Sequence, residues 1–244
     1  MIELNNKTLA QIVSADHRAA SVFEKYNLDF CCNGKRSLQQ ACDEIQLPVD
    51  RIAGELSSVT SSCKTPVEFD KMSLTQLADY IVFTHHSYVK NEMPLVFGYL
   101  QKVASKHGDR HPEMRDVFEV FSAVKEEMEK HMQKEEFILF PRIKSLETEM
   151  AGKSGLNNKM AYLQLPIHLM EEEHEHAGRL LEEIRQLTDN YAPPEDACTT
   201  YRLSLAALQA FELDLHQHVH LENNILFPKS LELFNTLDEA ALKN

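Results

Sequence analysis

The eleven residues from His131 to Pro141, H-M-Q-K-E-E-F-I-L-F-P, return 87 residues later from His218 to Pro228 as H-V-H-L-E-N-N-I-L-F-P. Each copy places a Glu four residues after a His, follows it with Ile-Leu-Phe-Pro at the same offset, and ends on a base, Arg142 or Lys229. On an α-helix, residues i and i+4 share a face one turn apart, so each copy aims an imidazole and a carboxylate at one point. A single pair of this kind is by default an ion pair on a helix surface. Two copies with matching flanks indicate a site built twice.

The repeat extends upstream. His86 precedes His131 by 45 residues and His174 precedes His218 by 44. The chain therefore reads as a duplicated helix hairpin, each half giving one His from its first helix and a His-x-x-x-Glu from its second. The converging set is His86, His131, Glu135, His174, His218 and Glu222. The register leaves one position open: His85 adjoins His86, and the apolar stripe from Leu74 to Ile81 would bring His85 nearer its centre. The other histidines (His17, His107, His111, His168, His176, His216, His220) are expected on the surface or in loops, with His107 the first candidate exception.

Six inward polar side chains are costly to bury unless something takes their lone pairs. Mixed imidazole and carboxylate ligation suits iron, manganese or zinc, and no Cys lies in the motif to make a thiolate site. Two carboxylates favour two metals, since each Glu can bridge. Two octahedral ions offer about twelve positions. Two bridging Glu fill four, four His fill four and an oxo or hydroxo bridge fills two, which leaves about one exchangeable position per metal. A ferritin-type site would use more Glu and a Glu-x-x-His spacing.

Helical spacing dominates the rest of the chain. With 7 Gly, no Trp and little alternation in 244 residues, the expected class is all-α. Residues 1–58 read as a small helical domain, with Thr8, Ser14 or Asp16, and Ser37 as caps and the loop L-D-F-C-C-N-G-K-R between helices. Residues 59–70, rich in Ser and Thr, read as a linker. Residues 71–244 read as four long antiparallel helices in an up-down-up-down bundle, with Pro94 expected to kink or end the first. A net charge of −13 argues against nucleic-acid and anionic-membrane partners. No run is long and apolar enough for a membrane span, and the first residues lack the pattern of a secretory signal, so the expected compartment is the cytoplasm. Five irregularly spaced Cys are not a disulfide framework. The adjacent Cys31 and Cys32 are either small buried hydrophobes or thiols activated by Lys35 and Arg36.

Taken together, L-D-F-C-C-N-G-K-R-S-L, H-H-S-Y-V-K-N-E-M-P, H-M-Q-K-E-E-F-I-L-F-P, E-E-E-H-E-H-A-G and H-V-H-L-E-N-N-I-L-F-P make the chain resemble, over essentially its whole length, the di-iron iron–sulfur cluster repair proteins (RIC family). The resemblance implies a hemerythrin-like four-helix bundle preceded by a small domain with a vicinal Cys pair. It implies two non-haem irons, oxo- or hydroxo-bridged, on His86, His131, Glu135, His174, His218 and Glu222, and it selects His86 over His85 because the family's first His ligand lies eight residues before the Pro. Glu127 and Glu173 stand where the family has acidic residues near the centre, either behind the ligands or as alternative ligands, and His107 matches a position beside a proposed channel. Cys31 and Cys32 match the family's thiols, candidates for redox or iron transfer. Asn33 replaces a family Gly, and its tolerance of left-handed backbone is expected to preserve the turn. The implied function is repair of clusters damaged by nitrosative or oxidative stress, by supply of labile iron to damaged iron–sulfur proteins. Nitric oxide reduction, or hemerythrin-type binding or sensing of O2 or NO, is the alternative. A homodimer is the implied assembly.

Overall fold

The computed structural model describes residues 2–60, 67–150 and 160–242. Residues 61–66 of the expected linker and 151–159 of the expected interhelical loop lie outside the described residues. Among the described residues every regular element is helical. In chain order the α-helices are α1 (Ile2–Asn5), α2 (Leu9–Ala15), α3 (Ala20–Lys25), α4 (Leu38–Glu44), α5 (Val49–Thr60), α6 (Leu74–Ile81), α7 (Ser87–His107), α8 (Glu113–Lys134), α9 (Phe140–Met150), α10 (Met160–Leu187), α11 (Thr199–Leu221) and α12 (Phe227–Leu242). No described helix is long and apolar enough to cross a membrane. The chain divides into two compact units, Met1–Leu77 with His216–Asn244, and Ala78–Leu215.

In the first unit, two helices start on capping boxes. The Thr8 and Ser37 hydroxyls accept from the backbone N–H groups of Gln11 and Gln40, whose side chains accept in return from the caps. The two caps face each other, joined by Leu9 N–H to the Arg36 carbonyl (3.0 Å) and Leu38 N–H to the Lys7 carbonyl (2.9 Å). Ala10 N–H reaches the Gly34 carbonyl at 2.9 Å. A Cβ at position 34 would lie 2.2 Å from the Phe30 carbonyl oxygen, so only glycine permits this approach. Leu9, Phe23, Phe30, Leu38 and Ile52 form the buried core beneath these contacts. At the other end of the unit's sequence, Lys229 donates to the carbonyls of Asp70 (3.0 Å) and Met72 (2.7 Å).

In the second unit, α8 packs against α7 and α10. The buried stripe of α8 runs Met114, Val117, Phe121, Val124, Met128 and His131, alternating steps of three and four. That of α10 runs Leu163, Ile167, Met170, His174, Ala177 and Leu181. In both helices a His takes the place of an apolar core residue. Pro94 does not end its helix: α7 is continuous from Ser87 to His107, and Pro94 sits on its exposed face, where water can serve the carbonyl left without a donor.

Three helical turns are wider than α. Val82–His86, Glu135–Leu139 and Glu222–Leu226 are π-helical, with the N–H groups of Ser87, Phe140 and Phe227 donating five residues back to Val82, Glu135 and Glu222. The repeated Ile-Leu-Phe-Pro carries the cause in two of them. Pro141 and Pro228 have no N–H for the carbonyls of Phe137 and Asn224, and their rings would press on those carbonyls in a tight α turn. The helix widens just before each Pro, as π turns do where a functional side chain has to be aimed.

Candidate metal centre

Four of the six expected ligands lie in the second unit. His86 comes from the end of its π turn, His131 from α8, Glu135 from the start of the next π turn and His174 from α10. All are buried, none more than 3% exposed. His86 Nε2 lies 3.3 Å from Glu135 Oε2, and His131 Nε2 lies 3.3 Å from Glu135 Oε1. His174 Nε2 lies 2.9 Å from His131 Nε2. The first unit holds the other two, His218 and Glu222, fully buried with Nε2 and Oε1 3.0 Å apart.

The far side of two rings fixes their tautomer. His86 Nδ1 is 2.7 Å from Glu136 Oε1, to which Lys90 also donates at 2.6 Å. His131 Nδ1 is 2.9 Å from Glu173 Oε2, and Lys134 donates to the other oxygen, Oε1, of the same carboxylate. The hydrogen bond from His131, opposed by burial and aided by Lys134, holds the Glu173 carboxyl down to about 2. Such carboxylates accept only, so each Nδ1 donates. In the neutral rings Nε2 is then the acceptor nitrogen. Lone pairs of His86 and His131 face carboxylate oxygens, and that of His131 faces a second imidazole nitrogen. A cation could be held among these acceptor atoms, since imidazole with carboxylate suits a first-row metal ion. The donor set fits the metal.

The neighbouring candidates fall elsewhere. His85 turns to Asp214, with Nδ1 to Oδ1 3.0 Å. Glu127 pairs with His176 at 2.9 Å. His107 stacks on Tyr201 and lies 3.3 Å from Cys198 Sγ. A cleft of about 270 Å³ reaches His131 and His174, with Met128, Leu169 and Ala177 among its apolar lining and Lys134 and Glu173 among its charged lining.

Two sequence readings need correction. In the Cys loop, the hydrogen bond to Cys32 and burial push the Cys31 thiol up, and Arg36 pairs with Glu44. The Sγ atoms of Cys31 and Cys32 are 3.8 Å apart and unbonded. Asn33 is absent from the left-handed backbone positions, and keeps the turn differently, by donating Nδ2 to Asp29 Oδ2 at 2.7 Å. The Asp29 carboxylate organises the loop by also accepting from the backbone N–H groups of Cys31 (3.0 Å) and Cys32 (2.9 Å). Finally, His220 is buried rather than on the surface. It accepts from Asn224 Nδ2 (3.2 Å), which also donates to the Cys31 carbonyl (2.9 Å).

Burial lowers the His220 pKa from 6.5 to about 4. The folded ring stays neutral where the unfolded chain's ring binds a proton, so its contribution is complete above the unfolded value and is lost as pH falls toward the folded one. Between about pH 6.5 and about pH 4 the iron-free protein is expected to lose about 3 kcal/mol through this group. Urea unfolding across that range should show a flatter profile for His220→Phe than for the wild type; parallel profiles would remove His220 from the account.

Sequence reasoning missed Glu136, Lys90 and Lys134. Their signal was present but faint: the first copy reads Glu-Glu where the second reads Glu-Asn, and Lys90 and Lys134 lie one helical turn beyond His86 and His131.

An all-helical fold with His and Glu set into the buried stripes of long helices defines a hemerythrin-type metal-binding protein. The comparisons agree: the hemerythrin HHE cation binding domain profile matches residues 77–230, and that of a domain of unknown function (DUF542) matches residues 5–60. The iron-sulfur cluster repair protein YtfE of Yersinia pseudotuberculosis serotype O:1b (strain IP 31758) is 34% identical over 231 residues, covering 94% of this chain and 99% of the relative. Its namesake in Yersinia pestis (strain Pestoides F) is 33% identical over the same shares. The chain belongs to the iron–sulfur cluster repair family of hemerythrin-like proteins.

Proposed function

We propose that this chain holds two non-haem irons on His86, His131, Glu135, His174, His218 and Glu222, and that it repairs iron–sulfur clusters damaged by nitrosative or oxidative stress by supplying iron. The observation that carries the reading is the buried meeting of the His86 and His131 Nε2 atoms with the two oxygens of Glu135, with His174 Nε2 against His131, in a chain whose relatives are named as cluster repair proteins. When bound, iron supplies exchangeable coordination and is itself the material delivered. The protein's own part is to present lone pairs at fixed Nε2 atoms, to neutralise the ions' charge with Glu135 and Glu222, and to keep bulk water away from them. The duplication supports pairing the two His-x-x-x-Glu segments in one centre.

Iron-loaded protein, incubated without oxygen with an enzyme whose [4Fe–4S] cluster has been damaged, is expected to restore that enzyme's activity, whereas iron-free protein is not. Equal recovery with free ferrous iron at the same concentration would show that delivery is not the task. The Cys31→Ala, Cys32→Ala double variant separates the thiols from the iron: undiminished repair would leave them outside the mechanism.

The cleft at His131 and His174 supports a second reading, in which a small ligand such as NO or O2 reaches the centre. Anaerobic incubation of the reduced protein with NO decides it. Many equivalents of N2O per chain would make the protein a nitric oxide reductase, and a stoichiometric adduct would make it a binder.

A further inference from the structure

We infer that Glu136 is a positioning residue that keeps the proton of His86 on Nδ1 and so preserves Nε2 for the metal. The inference rests on the iron reading above, and adds a residue that the ligand set lacks and that the second copy of the repeat replaces with Asn223. Two carboxylates compete for this ring. Glu136 Oε1 is 2.7 Å from Nδ1, and Glu135 Oε2 is 3.3 Å from Nε2. A neutral imidazole has one proton, and whichever carboxylate takes it determines which nitrogen remains a ligand. The shorter contact favours Glu136. Lys90, at 2.6 Å from the same oxygen, holds that carboxylate in place. Phe140 stacks on the His86 ring, 5.7 Å between centroids and 19° between planes, and so packs one face of the imidazole. Without Glu136 the proton's best acceptor becomes Glu135, and the transfer from Nδ1 to Nε2 caps the lone pair that iron needs. The same Lys–carboxylate–imidazole chain recurs at Lys134, Glu173 and His131, which indicates a rule of construction and not an accident of one side chain.

The test uses Glu136→Leu, which removes the acceptor, and Glu136→Gln, which keeps an oxygen for Nδ1–H. In iron-free protein, ¹⁵N NMR of the His86 ring is expected to show the Nδ1–H form in the wild type and in Glu136→Gln, and the Nε2–H form in Glu136→Leu. After iron loading, release to a ferrous chelator is expected to be at least about tenfold faster from Glu136→Leu, with Glu136→Gln in between. A merely structural residue would shift the unfolding midpoint and leave the tautomer alone. Retention of Nδ1–H in Glu136→Leu, or release at the wild-type rate, would overturn the inference. Wild-type protein that takes up no iron would instead overturn the iron reading, and the tautomer result would still decide the role of Glu136.

Discussion

Replacing Glu135 and Glu222 together by leucine is expected to abolish iron binding while leaving the iron-free protein folded and more stable than its parent. Both carboxylates are fully buried. Glu135 faces the Nε2 atoms of His86 and His131 at 3.3 Å each and Glu222 faces that of His218 at 3.0 Å, a placement that serves a metal and burdens the protein without one. Removing both carboxylates takes away the oxygens proposed to neutralise bound metal, so metal content by elemental analysis should fall to background. In the absence of metal, exchanging buried ionic groups for packed apolar ones of similar volume is often neutral or stabilising by about 1–4 kcal/mol. The urea midpoint of the iron-free variant should therefore rise. Full iron content in the double variant would be fatal to the ligand assignment. Loss of iron accompanied by unfolding would show that the carboxylates hold the helices together on their own.

The second large effect is expected at Phe140. Its ring is 1% exposed and lies flat on His86. Truncation to alanine leaves a cavity that the surrounding helices fill only in part, and such changes cost about 3–5 kcal/mol. Phe140→Leu, which keeps most of the volume, should cost less than about 1.5 kcal/mol. Phe83 is the control. It belongs to the π turn that carries His86 but is 81% exposed, so Phe83→Ala should change stability by no more than about 0.5 kcal/mol. Denaturant midpoints of the three iron-free variants give the comparison. An Ala effect at position 140 no larger than that at position 83 would mean that the ring contributes no packing to the site. Because Phe140 also packs one face of the His86 ring, Phe140→Ala should release iron faster than Phe140→Leu.

The parts of this protein that were legible in its sequence are those written at a fixed helical spacing. His131 with Glu135, and His218 with Glu222, are four residues apart on one face, and the duplication multiplied a weak signal. The buried stripes of α8 and α10 could be followed by steps of three and four into the proposed ligands His131 and His174. What the sequence hid depends on neighbours distant in the chain. Glu136 gains its role from a ring 50 residues away. His220 is buried because Ser14, Phe30 and Asn224 surround it, and nothing in its local pattern distinguishes it from half-buried His216. The partner of Arg36 was hidden for a related reason: proximity in sequence to the Cys pair did not decide where the guanidinium would go, and it pairs with Glu44. His85 and His86 could not be ranked by stripe alone because the stripe assumed an uninterrupted α-helix, and a π turn lies across it.

Those π turns have an implication for how such a chain can vary. Each holds one residue more than the α-helix needs, and an extra residue rotates everything beyond it by about 100° about the helix axis. The segments before and after Glu135 therefore keep separate angular registers, one set by the ligands and one by the packing of Phe140, Ile143 and Leu146. Removing a single residue between Glu135 and Leu139 would let an ordinary helix close up, but would swing either the ligand or the core face out of place. Insertions and deletions in this stretch are thus constrained to change the chemistry or the packing, whereas point substitutions at its exposed positions, Phe137 and Ile138, are free of that constraint.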